Sequence, residues 1–156
     1  MECCTTSQVK ESRTLAQEAV ELGRAGCSCS QAVLLAMARR RGWDEAEALR
    51  TAAGLAGGMG RGEVCGAVSA GVLILGRVLG SGQVGDGRVE MRMRLAVEEL
   101  MERFSEAQGS ILCRELTAGI NLKDFEATAR LRQSGRPEVM IATVAGIVED
   151  MLREAH

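Results

Sequence analysis

Aromatic side chains are nearly absent. The 156 residues hold no tyrosine, one tryptophan (Trp43) and two phenylalanines (Phe104 and Phe125). The core must therefore be filled by Leu, Val, Ile, Ala and eight Met, which suits close-set helices rather than a β-sandwich. The single histidine, His156, stands at the end of the chain, so neither Cys–His nucleophilic catalysis nor a His-bound metal is expected. An excess of one charge is also missing. The net charge is −2 with both signs interspersed, which gives no electrostatic footprint for nucleic acid. The longest apolar run, Val64 to Gly76, contains Ser69 and ends at Arg77. It falls short of the ~18–20 residues needed to span a bilayer and reads as a buried core helix. No apolar segment follows a basic start, so no signal peptide is expected. Six cysteines without such a signal point to a reducing, cytoplasmic setting, where they are ligands, catalysts or inert core rather than staples.

What is present is helical period throughout. The stripe Leu15, Ala19, Leu22 and Gly26 predicts a helix over Thr6 to Ala25, stopped by Gly26. Ser28 or Ser30 opens a second helix that runs to Arg41 and ends at Gly42, and Asp44 caps a third reaching about Ala56. A glycine loop leads into the apolar helix from about Val64 to Leu79. Gly80 to Gly87 forms a loop too short to separate two domains. The next helix starts near Arg88 and turns Val89, Met93, Val97 or Ala96, Leu100 and Phe104 inward, with Met91, Met93 and Met101 as core filler. Asp124 to Gln133 is a weaker helix broken by Gly135 and Pro137, and Glu138 to Glu154 closes the chain. No hairpin turn and no internal repeat occurs. The expected fold is all-α: one domain over residues 1–156, about six helices, residues 1–6 flexible. A chain of this length buries roughly 68–70% of its unfolded surface.

Twelve of the nineteen glycines lie between residues 54 and 87. Among them, Gly57-Gly58-Met59-Gly60-Arg61-Gly62 runs through Glu63-Val64 into Cys65-Gly66-Ala67. Glycine permits left-handed turns and close approach of backbone to a bound group. A cysteine at a helix start, as at Cys29 and Cys65, meets N–H groups and a dipole that favour its thiolate. Gly58, Gly60, Gly62 and Gly66 are therefore candidate binding residues. Arg61 is the basic group placed to assist a thiolate or an anionic ligand, and Glu63 is placed to cap the helix or tune the thiol. The Gly58-x-Gly60-x-Gly62 pattern resembles a phosphate cradle only superficially, because a helix rather than a strand precedes it and no Gly-Lys-Ser/Thr follows. Cys29, Cys65 and Cys113 are 36 and 48 residues apart, unlike the paired C-x-x-C ligands of zinc ribbons and ferredoxins. Any shared site must be assembled by packing three helix ends. The plain alternative is that they are small buried hydrophobes.

Ser28-Cys29-Ser30-Gln31-Ala32-Val33-Leu34, then Gly57 through Ala67, then Cys113-Arg114-Glu115-Leu116 resemble the C_GCAxxG_C_C family of redox-active proteins in order and spacing, over about residues 12–153. The resemblance implies a small bacterial or archaeal cytoplasmic protein with four characteristic cysteines, often encoded near transporter genes. It also implies kinship with the module of split-Soret cytochromes associated with an iron–sulfur centre. Cys29, Cys65 and Cys113 match the first three family cysteines, and the fourth falls at Met140, whose thioether is a weak, uncharged ligand unable to form a disulfide. Ala70 stands where the family has a glycine, with Gly71 one place later. Cys27 could replace the missing ligand or pair with Cys29; Cys3 and Cys4 lie near the N-terminus.

Three readings follow. In the first, Cys29, Cys65 and Cys113 ligate a metal or iron–sulfur centre, with Cys27, Met140 or solvent as fourth ligand. In the second, two of these cysteines cycle between dithiol and disulfide without metal. In the third, the chain is a non-catalytic helical interaction protein that has lost the site. A redox partner or small ligand is expected in the first two, and a two-fold dimer is compatible with all three.

Overall fold

The computed structural model describes residues 12–155. Cys3, Cys4, the expected start of the first helix at Thr6, and His156 lie outside them. The described chain is all-α, with α1 (Leu15–Arg24), α2 (Cys29–Arg41), α3 (Glu45–Ala52), α4 (Gly66–Leu79), α5 (Gly87–Gln108), α6 (Cys113–Leu116), α7 (Phe125–Gln133) and α8 (Arg136–Glu154). Seven of the eight run for two turns or more, and α6 is a single turn. The helix starts follow from local chemistry. Thr14 and Gln17 form a reciprocal capping box at α1, and Ser28 and Gln31 form one at α2. Asp44, Asp86 and Asp124 each accept a backbone N–H at the starts of α3, α5 and α7. Pro137 does not act as a breaker. It occupies the first turn of α8, where its missing N–H costs nothing.

One continuous hydrophobic core joins α1, α2, α4, α5 and α8. Leu15, Val33, Val68, Ile74, Leu100, Phe104, Ile141, Val144 and Val148 are fully buried in it. α4 is enclosed by α2, α5 and α8, as the apolar run predicts. Gly71 marks its closest crossing: a Cβ there would lie 2.9 Å from Leu100 Cδ2 and 3.0 Å from Val144 Cγ1. The glycine one place beyond the family position is thus the one the packing uses. On α5 the inner face carries Ala96, Leu100 and Phe104. Met93 and Met101 are half-buried and pack against the core, as their type predicts, whereas Met91 is 55% exposed and is not core filler. A partly buried cluster, Arg40 with Glu18 and Glu149, ties α2 to α1 and α8 at 2.9 and 2.6 Å. No helix of the described residues is long and apolar enough to cross a membrane.

Candidate functional site

Cys29 is the first residue of α2. Ser28, rather than Ser30, is the cap, accepting the Gln31 N–H while the Gln31 side chain accepts the Ser28 N–H. Ser30 is buried and donates to the Ala52 carbonyl at 2.8 Å, and Gln31 Nε2 donates to the Leu49 carbonyl at 3.2 Å. The end of the helix that carries Cys29 is therefore fastened to α3.

The glycine loop does the corresponding work for Cys65. Gly57, Gly58, Met59, Gly60 and Gly62 all have left-handed backbone, and the Glu63 N–H closes the turn on the Gly58 carbonyl at 3.2 Å. Gly58 is irreplaceable on space alone, since a Cβ would lie 2.5 Å from the Glu63 backbone. Leaving the loop, Val64 pairs with Leu112 in an isolated antiparallel bridge. Cys65 donates its N–H to the Ile111 carbonyl and Cys113 donates to the Glu63 carbonyl, both at 2.7 Å. Cys65 and Cys113 are thus diagonal neighbours across the bridge, a relation that sets such residues about 7–8 Å apart in a regular ladder. Gly66 brings in the third thiol. A Cβ at that position would lie 2.7 Å from the Leu55 carbonyl and 2.9 Å from Cys29 Sγ. Only a glycine lets the Cys29 sulfur rest against the start of α4.

The electrostatics departs from the sequence expectation. Burial first, and then negative charge on Cys29 and Cys113, pushes the Cys65 thiol up to about 12 against the lowering effect of the Val68 and Ala67 N–H groups. The helix start does favour the Cys65 thiolate, but desolvation outweighs it. Cys113 is also raised, by burial first and then by Cys29. Cys27, Cys29, Cys65 and Cys113 are all free thiols.

A cleft of about 500 Å³ opens beside these sulfurs, and Cys27, Cys29 and Cys113 line it together with Gly57 and Gly60. Cys65, 2% exposed, does not line it. Nor do Gly58 and Gly62, which are buried within the loop, or Arg61, which is exposed. Glu63 pairs with Arg114 at 3.2 Å on the surface rather than capping α4, where Cys65 occupies the cap position without a side-chain bond. Three charged cleft residues carry no sequence signal: Arg24 at the end of α1, Arg132 at the end of α7 and Glu138 in the first turn of α8. Charges at helix ends have the same pattern as a solvated face, so only packing reveals them.

As a metal centre this donor set is incomplete. Among the described residues, no group of three or more Cys, His, Asp or Glu side chains is arranged to hold a metal ion. Met140, at the fourth family position, is 4% exposed within the hydrophobic core and does not line the cleft. Of the two side chains considered as a fourth ligand, only Cys27 faces the same space as Cys29. What the arrangement offers instead is a set of neighbouring thiols, three of which line one cleft: Cys27 just before α2, Cys29 at its start and Cys113 at the start of α6.

No curated protein and no solved structure matches the chain. Residues 27–151 match the family model described as "Putative redox-active protein (C_GCAxxG_C_C)", and the chain belongs to that family.

Proposed function

We propose that the chain is a thiol–disulfide redox protein in which Cys29 and Cys113 cycle between dithiol and disulfide across the cleft. The observation that carries this reading is that both thiols line the same cleft, one from α2 and one from α6, while charge on Cys29 acts on Cys113. Oxidation joins the two sulfurs and releases two protons and two electrons, the electrons passing to a disulfide partner by thiol–disulfide exchange. Cys29, half-buried at the tip of α2, is the attacking sulfur, and Cys113 resolves the mixed disulfide. Cys65 stays a thiol at neutral pH and stands behind the pair as a packing element. A thiolate-bound metal or iron–sulfur centre is supported less well, because Cys65 does not reach the cleft that Cys29 and Cys113 line and Met140 does not supply a fourth thiolate.

The test uses a Cys3→Ser/Cys4→Ser chain purified without oxygen, assayed for metal and sulfide, then oxidised and mapped by peptide mass spectrometry. The expected result is metal-free protein that forms a Cys29–Cys113 cross-link, absent in Cys29→Ser. Stoichiometric iron or zinc lost on Cys65→Ala would replace this reading with the metal centre. Metal-free protein whose thiol count survives oxidation would leave only a helical interaction scaffold.

A further inference from the structure

The cleft holds charges that the dithiol chemistry leaves unused. Arg24 and Arg132 are exposed on its rim, and neither forms an ion pair among the described residues. Glu138 contributes the opposite charge. Its Oε2 atom is buried and has no hydrogen-bond partner, a costly arrangement for a carboxylate oxygen unless a donor arrives. A single anion would satisfy the guanidiniums but be repelled by Glu138, and a simple cation would meet the reverse. A molecule bearing both a carboxylate and an ammonium satisfies all three. The cleft volume of about 500 Å³ suits a small molecule rather than a protein loop, and Leu131 and Ile141 supply an apolar wall for its carbon chain.

Resting on the redox reading above, we propose that the cleft is a binding site for a small zwitterionic disulfide of the amino-acid or short-peptide class. Arg24 and Arg132 hold its carboxylates, Glu138 holds an ammonium group, and its sulfurs face Cys29. The Cys29 thiolate attacks one sulfur of the bound disulfide, the S–S bond breaks, and one small thiol leaves after taking up the Cys29 proton. Cys113 then attacks the Cys29 sulfur, and the second small thiol departs with the Cys113 proton. Two protein thiols and one small disulfide thus give one protein disulfide and two small thiols, and the small disulfide is the oxidant.

Three probes separate the contributions: cystine carries both charges, cystamine only ammonium groups, and 3,3′-dithiodipropionate only carboxylates. Rates of Cys29–Cys113 formation are measured on the Cys3→Ser/Cys4→Ser chain and normalised to each probe's rate with 2-mercaptoethanol. A charge-assisted hydrogen bond on each side predicts that cystine exceeds either of the other two by about tenfold. Glu138→Gln should abolish the advantage over dithiodipropionate, and Arg24→Gln/Arg132→Gln the advantage over cystamine. Normalised rates that are equal for the three probes on the unaltered chain would overturn the zwitterion site while leaving the dithiol pair intact. Failure of every probe to form the internal disulfide would overturn the redox reading itself.

Discussion

At the scale of single residues, the thiols differ in access. Cys29 and Cys27 are half-buried at the cleft, whereas Cys65 is buried and held protonated up to about 12. Native-state alkylation at neutral pH should therefore label Cys27 and Cys29 first and Cys65 last, read by mass spectrometry of the labelled peptides. Equal labelling of Cys65 and Cys29 would contradict the burial argument. The motif made Cys29, Cys65 and Cys113 legible in the sequence, because residue type and order survive without coordinates. The direction of the Cys65 shift was not legible. A helix start favours the thiolate, and only packing of α4 into the core shows that desolvation wins. Glu138 was hidden for a related reason: an acidic residue in a first helical turn is what any exposed helix would carry.

At the scale of elements, the site depends on two devices that the sequence does announce, a cap and a glycine. Ser28 fixes the start of α2, so Ser28→Ala should destabilise the fold by about 1 kcal/mol in urea unfolding. Gly66 lets α4 begin against Cys29 and the Leu55 carbonyl. Gly66→Ala forces a backbone contact apart, with a cost of roughly 1–3 kcal/mol and altered Cys29 alkylation. If Gly66→Ala left both stability and Cys29 reactivity unchanged, the close approach would not be what positions the thiol. The Asp44 cap and the end of α2 at Gly42 were readable because each rests on a few neighbouring residues, whereas the choice of Ser28 over Ser30 needed the Gln31 hydrogen bonds. The single turn α6 was not, since four residues are too few to display a helical period. The Val64–Leu112 bridge was invisible for a different reason, as it joins segments far apart in the chain.

At the scale of the whole molecule, the buried thiols make stability depend on alkaline pH. Unfolded, Cys65 ionises near its ordinary value of 9.0, but folded it holds its proton to about 12. Above pH 9 the unfolded chain therefore binds fewer protons than the folded one. The contribution is complete below that pH and is lost as pH rises toward 12, with a limiting slope of about 1.4 kcal/mol per pH unit. Cys113 adds an effect of the same sign. The chain has no tyrosine, so tyrosinate does not share the window, and urea unfolding at about pH 8 and about pH 10.5 should show the loss, reduced in Cys65→Ala. The all-α bundle and its buried α4 were legible from period and composition, because a continuous apolar run has few other fates. The cleft was not, being built from ends of α1, α2, α6, α7 and α8 that only tertiary packing brings together. A working dithiol across that cleft can be titrated by equilibrating the Cys3→Ser/Cys4→Ser chain in graded mixtures of reduced and oxidised dithiothreitol and counting free thiols. The expected result is one reversible step that removes two thiols, independent of protein concentration and absent in Cys29→Ser. A thiol count that stays at four across the series, or a loss that grows with protein concentration, would contradict it.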